Sequence, residues 1–92
     1  MEHLVVENTF ETPLTDEEHN RMGQRLDPCL EAHGARWIRS YLSQDRKRMV
    51  CLFTAADAEM VRLSYRSAGV TFERVWSAEL FASNKEELPI AT

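Results

Sequence analysis

The sequence predicts an α+β domain of the ferredoxin-like kind, βαββαβ, in which a four-stranded antiparallel sheet carries both helices on one face. Three observations lead there. Two segments repeat apolar residues at helical spacing, with capping residues before them and glycines after them. Four short segments rich in β-branched and aromatic residues surround those helices. Their order along the chain is strand, helix, strand, strand, helix, strand. In this arrangement the strands run 4-1-3-2 across the sheet, and strands one and three are central.

Residues 3–10 (HLVVENTF) precede a Thr12-Pro13 break and read as the first strand. Thr15-Asp16-Glu17-Glu18 starts the first helix: Thr15 caps it, Glu18 returns the bond as a capping box, and the acids sit at the positive end of the helix dipole. Met22, Leu26, Cys29 and His33 follow at spacings of 4, 3 and 4, so they share a helical face. Pro28 lacks an N–H and crowds the preceding turn, which predicts a kink or a restart capped by Asp27. Gly34 closes the helix. Residues 35–43 and 48–55 form the second and third strands around a polar turn near Gln44 to Lys47. Asp57 caps the second helix, whose stripe includes Val61, Tyr65 and Ala68, and Gly69 ends it. Residues 72–81 (FERVWSAELF) form the fourth strand. We assign residues 1–82 to the domain and 83–92 to a C-terminal tail or an arm reaching a partner subunit.

The chain of 92 residues has room for one domain. A domain of this size buries only about 60–65% of the surface its unfolded chain exposes, and oligomerisation is the usual supplement. Eleven basic and 15 acidic residues give a formal charge of −4. That argues against a nucleic-acid surface, which needs clustered excess Lys and Arg. The one basic cluster, Asp45-Arg46-Lys47-Arg48, falls at the hairpin tip, where charge is ordinary. No apolar run approaches the roughly 20 residues that span a bilayer. The N-terminus does not read as a signal peptide, and two cysteines form no disulfide framework. These features predict a cytoplasmic protein without membrane or nucleic-acid partners.

Strand side chains alternate between faces. Ile38, Leu42, Val50 and Leu52 make one apolar set, assigned here to the helices together with Leu4, Val6 and Phe10. The opposite face then carries His3, Val5, Glu7, Trp37, Arg39, Tyr41, Met49, Cys51 and Phe53. Trp76 of the fourth strand fits either face and is assigned to the open one. So much apolar surface in water marks a contact, which predicts a homodimer whose two sheets pack face to face as a dimeric α+β barrel. Glu7 and Arg39 are then the candidates to pair as a buried charge couple. Cys29 on the helix side and Cys51 on the other face stay apart as two free thiols.

At this point VENTF, WIRSYLSQDRKRMVCLF, AADAEMVR and AGVTFERV resemble a bacterial family of small proteins of unknown function that includes a nickel-binding member with a ferredoxin-like fold. The resemblance covers most of residues 4–80. Its pattern runs V-E-R-T-F, then W-V-H-S-Y-V-S-x-D-K-R-K-x-x-C-x-Y-x-A, then G-x-P-x-D-R-I. Glu7, Trp37, Ser40, Tyr41, Asp45 and Cys51 match it. Arg39 stands where the pattern has histidine, Phe53 where it has tyrosine and Asn8 where it has arginine. The resemblance implies the fold and a small-ligand or metal-binding role. It also implies a lost ligand if nickel is held through that histidine, because a guanidinium is no metal donor.

Three functional readings follow. The first is binding of a small ligand or a divalent transition metal, nickel foremost, on the open sheet face. Glu7, Trp37, Arg39, Tyr41, Phe53 and Trp76 would line a ligand, and Cys51, His3 and Glu7 would be the metal donors. His3 and Glu7 lie roughly 13 Å apart along one strand, so an ion there would need a bent strand or donors from a second subunit. The alternative is a cofactor-free enzyme of the isomerase or monooxygenase type, with Arg39 on an anion, Tyr41 as proton donor and Glu7 or His3 as base. The third is a non-catalytic dimerisation module. Cys29 and His33, four apart on a helix, read as core residues.

Overall fold

The computed structural model describes residues 1–83. The order is β1 (Glu2–Thr9), α1 (Asp16–Ala32), β2 (Arg36–Leu42), β3 (Arg48–Ala55), α2 (Ala58–Ala68) and β4 (Arg74–Ala78). Every strand pairing is antiparallel, and the sheet runs β2-β3-β1-β4, the predicted order read from its other edge. Both helices pack on one face and against each other. The predicted tail lies, apart from Ser83, outside the described residues. Among the described residues no helix is long and apolar enough to cross a membrane.

The local signals act as their chemistry requires. The Thr15 hydroxyl accepts from the Glu18 N–H and the Glu18 carboxylate from the Thr15 N–H, both at 3.0 Å. The Thr15 N–H, and after it the Thr15 hydroxyl, hold the Glu18 carboxyl below its usual pKa. Asp57 accepts from the Met60 N–H at 3.1 Å to start α2. Gly34 and Gly69 take left-handed backbone at the two helix ends, with φ of 68° and 70°. Of the two outcomes expected at Pro28, the restart at Asp27 does not occur: α1 runs through it. A proline removes one bond, the one to the carbonyl four residues back, and Leu26 and Leu30, both buried against the core on either side, hold the helix in place.

The basic hairpin tip does more than meet solvent. Arg46 adopts φ 64°. From there its guanidinium donates to the Leu14 carbonyl and to the Asp16 carboxylate, each at 2.6 Å, and its carbonyl accepts from the Leu14 N–H at 2.8 Å. Asp45 stabilises the same turn by accepting from the Ser43 hydroxyl and the Lys47 N–H, which keeps its carboxyl ionised to lower pH. The tip is thereby fastened to the segment entering α1.

Register decides the two faces of the sheet and corrects several assignments. Leu4 and Val6 of β1 point to the helices and are fully buried. Leu4 is opposite Phe53 and Val6 opposite Cys51, so Met49, Cys51 and Phe53 face the helices, not the open side, and Val50 and Leu52 are turned outward. On β2 a bulge between Trp37 and Arg39 breaks strict alternation. Trp37 therefore shares the helix side with Ser40 and Leu42, while Arg39 and Tyr41 look outward and Ile38 sits at the irregularity. The assignments of Leu4, Val6, Leu42, His3, Val5, Glu7, Arg39, Tyr41 and Trp76 agree with the structure. The core has Tyr65 of α2 at its centre, edge-on to Phe53 with ring centroids 6.0 Å apart and to Phe72 at 5.6 Å. Both cysteines are free, as expected.

Candidate functional site

The residues expected to form one site are divided between two places. His3, Glu7, Arg39, Tyr41 and Trp76 lie on the open face; Trp37, Cys51 and Phe53 lie under the helices. Glu7 and Arg39 do not pair, because β3 runs between their strands. Glu7 instead accepts from the Trp76 indole N–H at 2.7 Å, and the Arg39 guanidinium reaches the Tyr41 hydroxyl at 3.4 Å.

On the helix side, α1 stands away from the β2–β3 hairpin and leaves a cleft of about 380 Å³. Its wall on α1 includes Met22, Gly23 and Leu26; its floor on the sheet includes Met49, Cys51 and Phe53. A chain of neutral polar groups crosses this apolar surface. The Trp37 indole N–H donates to the Ser40 hydroxyl at 2.9 Å, and that hydroxyl donates to the Cys51 sulfur at 3.0 Å. Tyr65 borders the same cleft and stands edge-on to Phe53. The bulge makes this arrangement possible, since it turns Trp37 to the side of Ser40, whereas regular alternation would have opposed them. A second hollow of about 410 Å³ beside the start of α1 is lined largely by charged and hydroxyl side chains and has no comparable row.

Burial raises the Cys51 thiol pKa, and the hydrogen bonds from Ser40 and Tyr65 offset that only in part. Burial also pushes the Tyr65 phenol well above its ordinary range, with Cys51 adding to the effect. Both groups are therefore neutral near neutral pH. They can orient a ligand by hydrogen bonding, but a protonated thiol is a poor nucleophile.

The metal donors read from the sequence do not converge. Cys51 is under the helices, while His3 and Glu7 are on the other side of the sheet. Among the described residues no group of three or more His, Cys, Asp or Glu side chains is placed to hold an ion. The described residues of one chain thus do not fit a nickel ion. Cys29 and His33 serve packing: the His33 ring meets the Cys29 carbonyl at 2.8 Å and the Ser64 hydroxyl at 3.3 Å. The sequence reading missed the part α1 plays in the cleft. Gly23, a glycine inside an amphipathic helix, was the signal that could have pointed to it.

Comparison with known proteins agrees with this architecture. The chain is similar in three dimensions to SCO4226 from Streptomyces coelicolor A3(2), with a TM-score of 0.78 over 87% of this chain and 99% of that one. At 15% identity that likeness speaks for the fold alone. No curated protein matches the sequence. The family described as nickel responsive protein SCO4226-like matches residues 4–77. That match spans most of the 92 residues, from β1 to the end of β4, and the chain belongs to this family.

Proposed function

We propose that this chain is a non-catalytic binding module for a small organic ligand, which it takes in the cleft between α1 and the β2–β3 hairpin. One observation carries the reading: an apolar cavity of about 380 Å³ whose floor bears the hydrogen-bonded row Trp37–Ser40–Cys51. Ligand sites have this character, apolar walls of a few hundred Å³ with a few convergent polar groups. The neutral Cys51 and Tyr65 supply no general base, so the hydrogen-bonded row suits binding; His19 and Asp27 are the other ionisable groups in the lining. Nickel, which the family's description brings to mind, finds no group of three donors among the described residues of one chain, and we do not assign it to this cleft.

The open face has a different role in this reading. Trp76 is 44% and Tyr41 59% exposed, and they stand beside the outward Val50 and Leu52. We propose that a second copy of the chain covers this surface, giving a cytoplasmic homodimer. Light scattering on the eluting protein should give a dimer mass, and Trp76→Glu should give a monomer; a wild-type monomer at micromolar concentration would remove this part. For the cleft, backbone amide NMR during titration with aromatic fragments should move Ser40, Cys51 and the Trp37 indole N–H. Changes confined to the open face would refute the cleft assignment. Calorimetric titration with Ni²⁺ should give the same weak heats for the wild type and for Cys51→Ser.

A further inference from the structure

We infer, resting on the cleft reading above, that the site takes an uncharged flat ring bearing an N–H or O–H donor, and that Gly23 keeps its entrance open. The lining supplies the first half of the argument. Among the described residues no lysine or arginine lines the cleft; its lining carries one carboxylate, Asp27, and one imidazole, His19. An anionic ligand would lose its hydration with no lysine or arginine to replace it, beside the Asp27 carboxylate. The rings of Trp37, Phe53 and Tyr65 all border the space, and flat apolar surfaces of this kind favour a ring.

Hydrogen-bond accounting fixes the polarity of the contact. The Ser40 hydroxyl spends its proton on the Cys51 sulfur and accepts once from the Trp37 indole. A hydroxyl oxygen has two lone pairs, so one acceptor position remains. A ligand N–H or O–H can fill that position, while the neutral Cys51 S–H and the amides of Asn20 and Gln24 offer further contacts.

Gly23 supplies the second half. It lies inside α1 and lines the cleft, and a Cβ built on it meets no heavy atom within 4 Å. Neither packing nor a left-handed backbone requires glycine there, and glycine is among the least favourable residues in a helix interior. Its lack of a side chain does leave space at the α1 wall.

The test uses the whole chain, followed by amide NMR with two probes of matched shape, indole and indole-3-carboxylate, each to millimolar concentration. Indole should perturb Ser40, Cys51 and the Trp37 indole N–H, and the carboxylate should bind there at least tenfold more weakly. Gly23→Leu should raise the melting temperature and abolish indole binding; Gly23→Ala, the milder change, should raise the melting temperature and weaken binding several-fold. Equal or tighter binding of the carboxylate at the same residues overturns the ligand class and leaves the cleft reading standing. Undiminished indole binding by folded Gly23 variants overturns the role of Gly23. Perturbation by neither probe, or only on the open face, overturns the cleft reading and this inference with it.

Discussion

The two faces of this sheet contain similar side chains in opposite circumstances. Under the helices, Phe53 and Tyr65 are 2% and 1% exposed, and the polar groups among them are joined into one row. On the open face, Trp76 and Tyr41 retain about half their surface in water. Aromatic content alone therefore says little about where a site lies. A cleft forms where one helix fails to cover the sheet completely, and α1 does this over β2 and β3 while α2 seals the rest.

Truncation on each side of the sheet separates the two most sharply. Tyr65→Ala should cost about 3–5 kcal/mol, as large-to-small changes in a packed core do. Tyr41→Ala should change the stability of the monomer by about 0.5 kcal/mol or less. Urea denaturation at low protein concentration measures both, and similar losses at the two positions would break the comparison.

Alkaline pH should act on the helix side first. The folded chain raises the Cys51 thiol above its ordinary 9.0 and the Tyr65 phenol above its ordinary 10.0. The folded state thus holds these protons more tightly than the unfolded state does. Their contribution is complete below about pH 9 and declines as pH rises beyond it. The denaturation midpoint should fall through that range, and less steeply in the double variant Cys51→Ser/Tyr65→Phe. An unchanged slope would mean that neither group is sequestered.

The hairpin tip gives an effect below that of Tyr65→Ala. Arg46→Ala removes two guanidinium hydrogen bonds and keeps the left-handed backbone, which should cost about 2 kcal/mol. Arg46→Gly loses the same bonds but relieves the backbone, and should be milder by about 1 kcal/mol. Equal losses would show that the φ of this residue stores no strain.

Much of this was legible in the chain itself. Thr15 with Glu18, Asp57, Gly34 and Gly69 mark helix ends through bonds made within a few residues, so a local pattern suffices to find them. The alternation of Leu4 and Val6 with His3 and Glu7 likewise gives the inner face of β1, because only one of its two sets is apolar. On β3 that rule has no purchase: Met49–Cys51–Phe53 and Val50–Leu52 are both apolar, and composition cannot rank them. The restart expected at Pro28 fails for a related reason, since its local penalty is outweighed by contacts that Leu26 and Leu30 make far along the chain.

The sequence by itself determined the order of the elements, their caps, the fold class and the family. Only the tertiary structure decided the face of β3, through its pairing with β1, and the direction of Trp37, through a one-residue bulge on β2. The reason is the period of two in a strand. A register or a bulge displaced by a single residue exchanges the two faces, and the interactions that set it link residues distant in sequence.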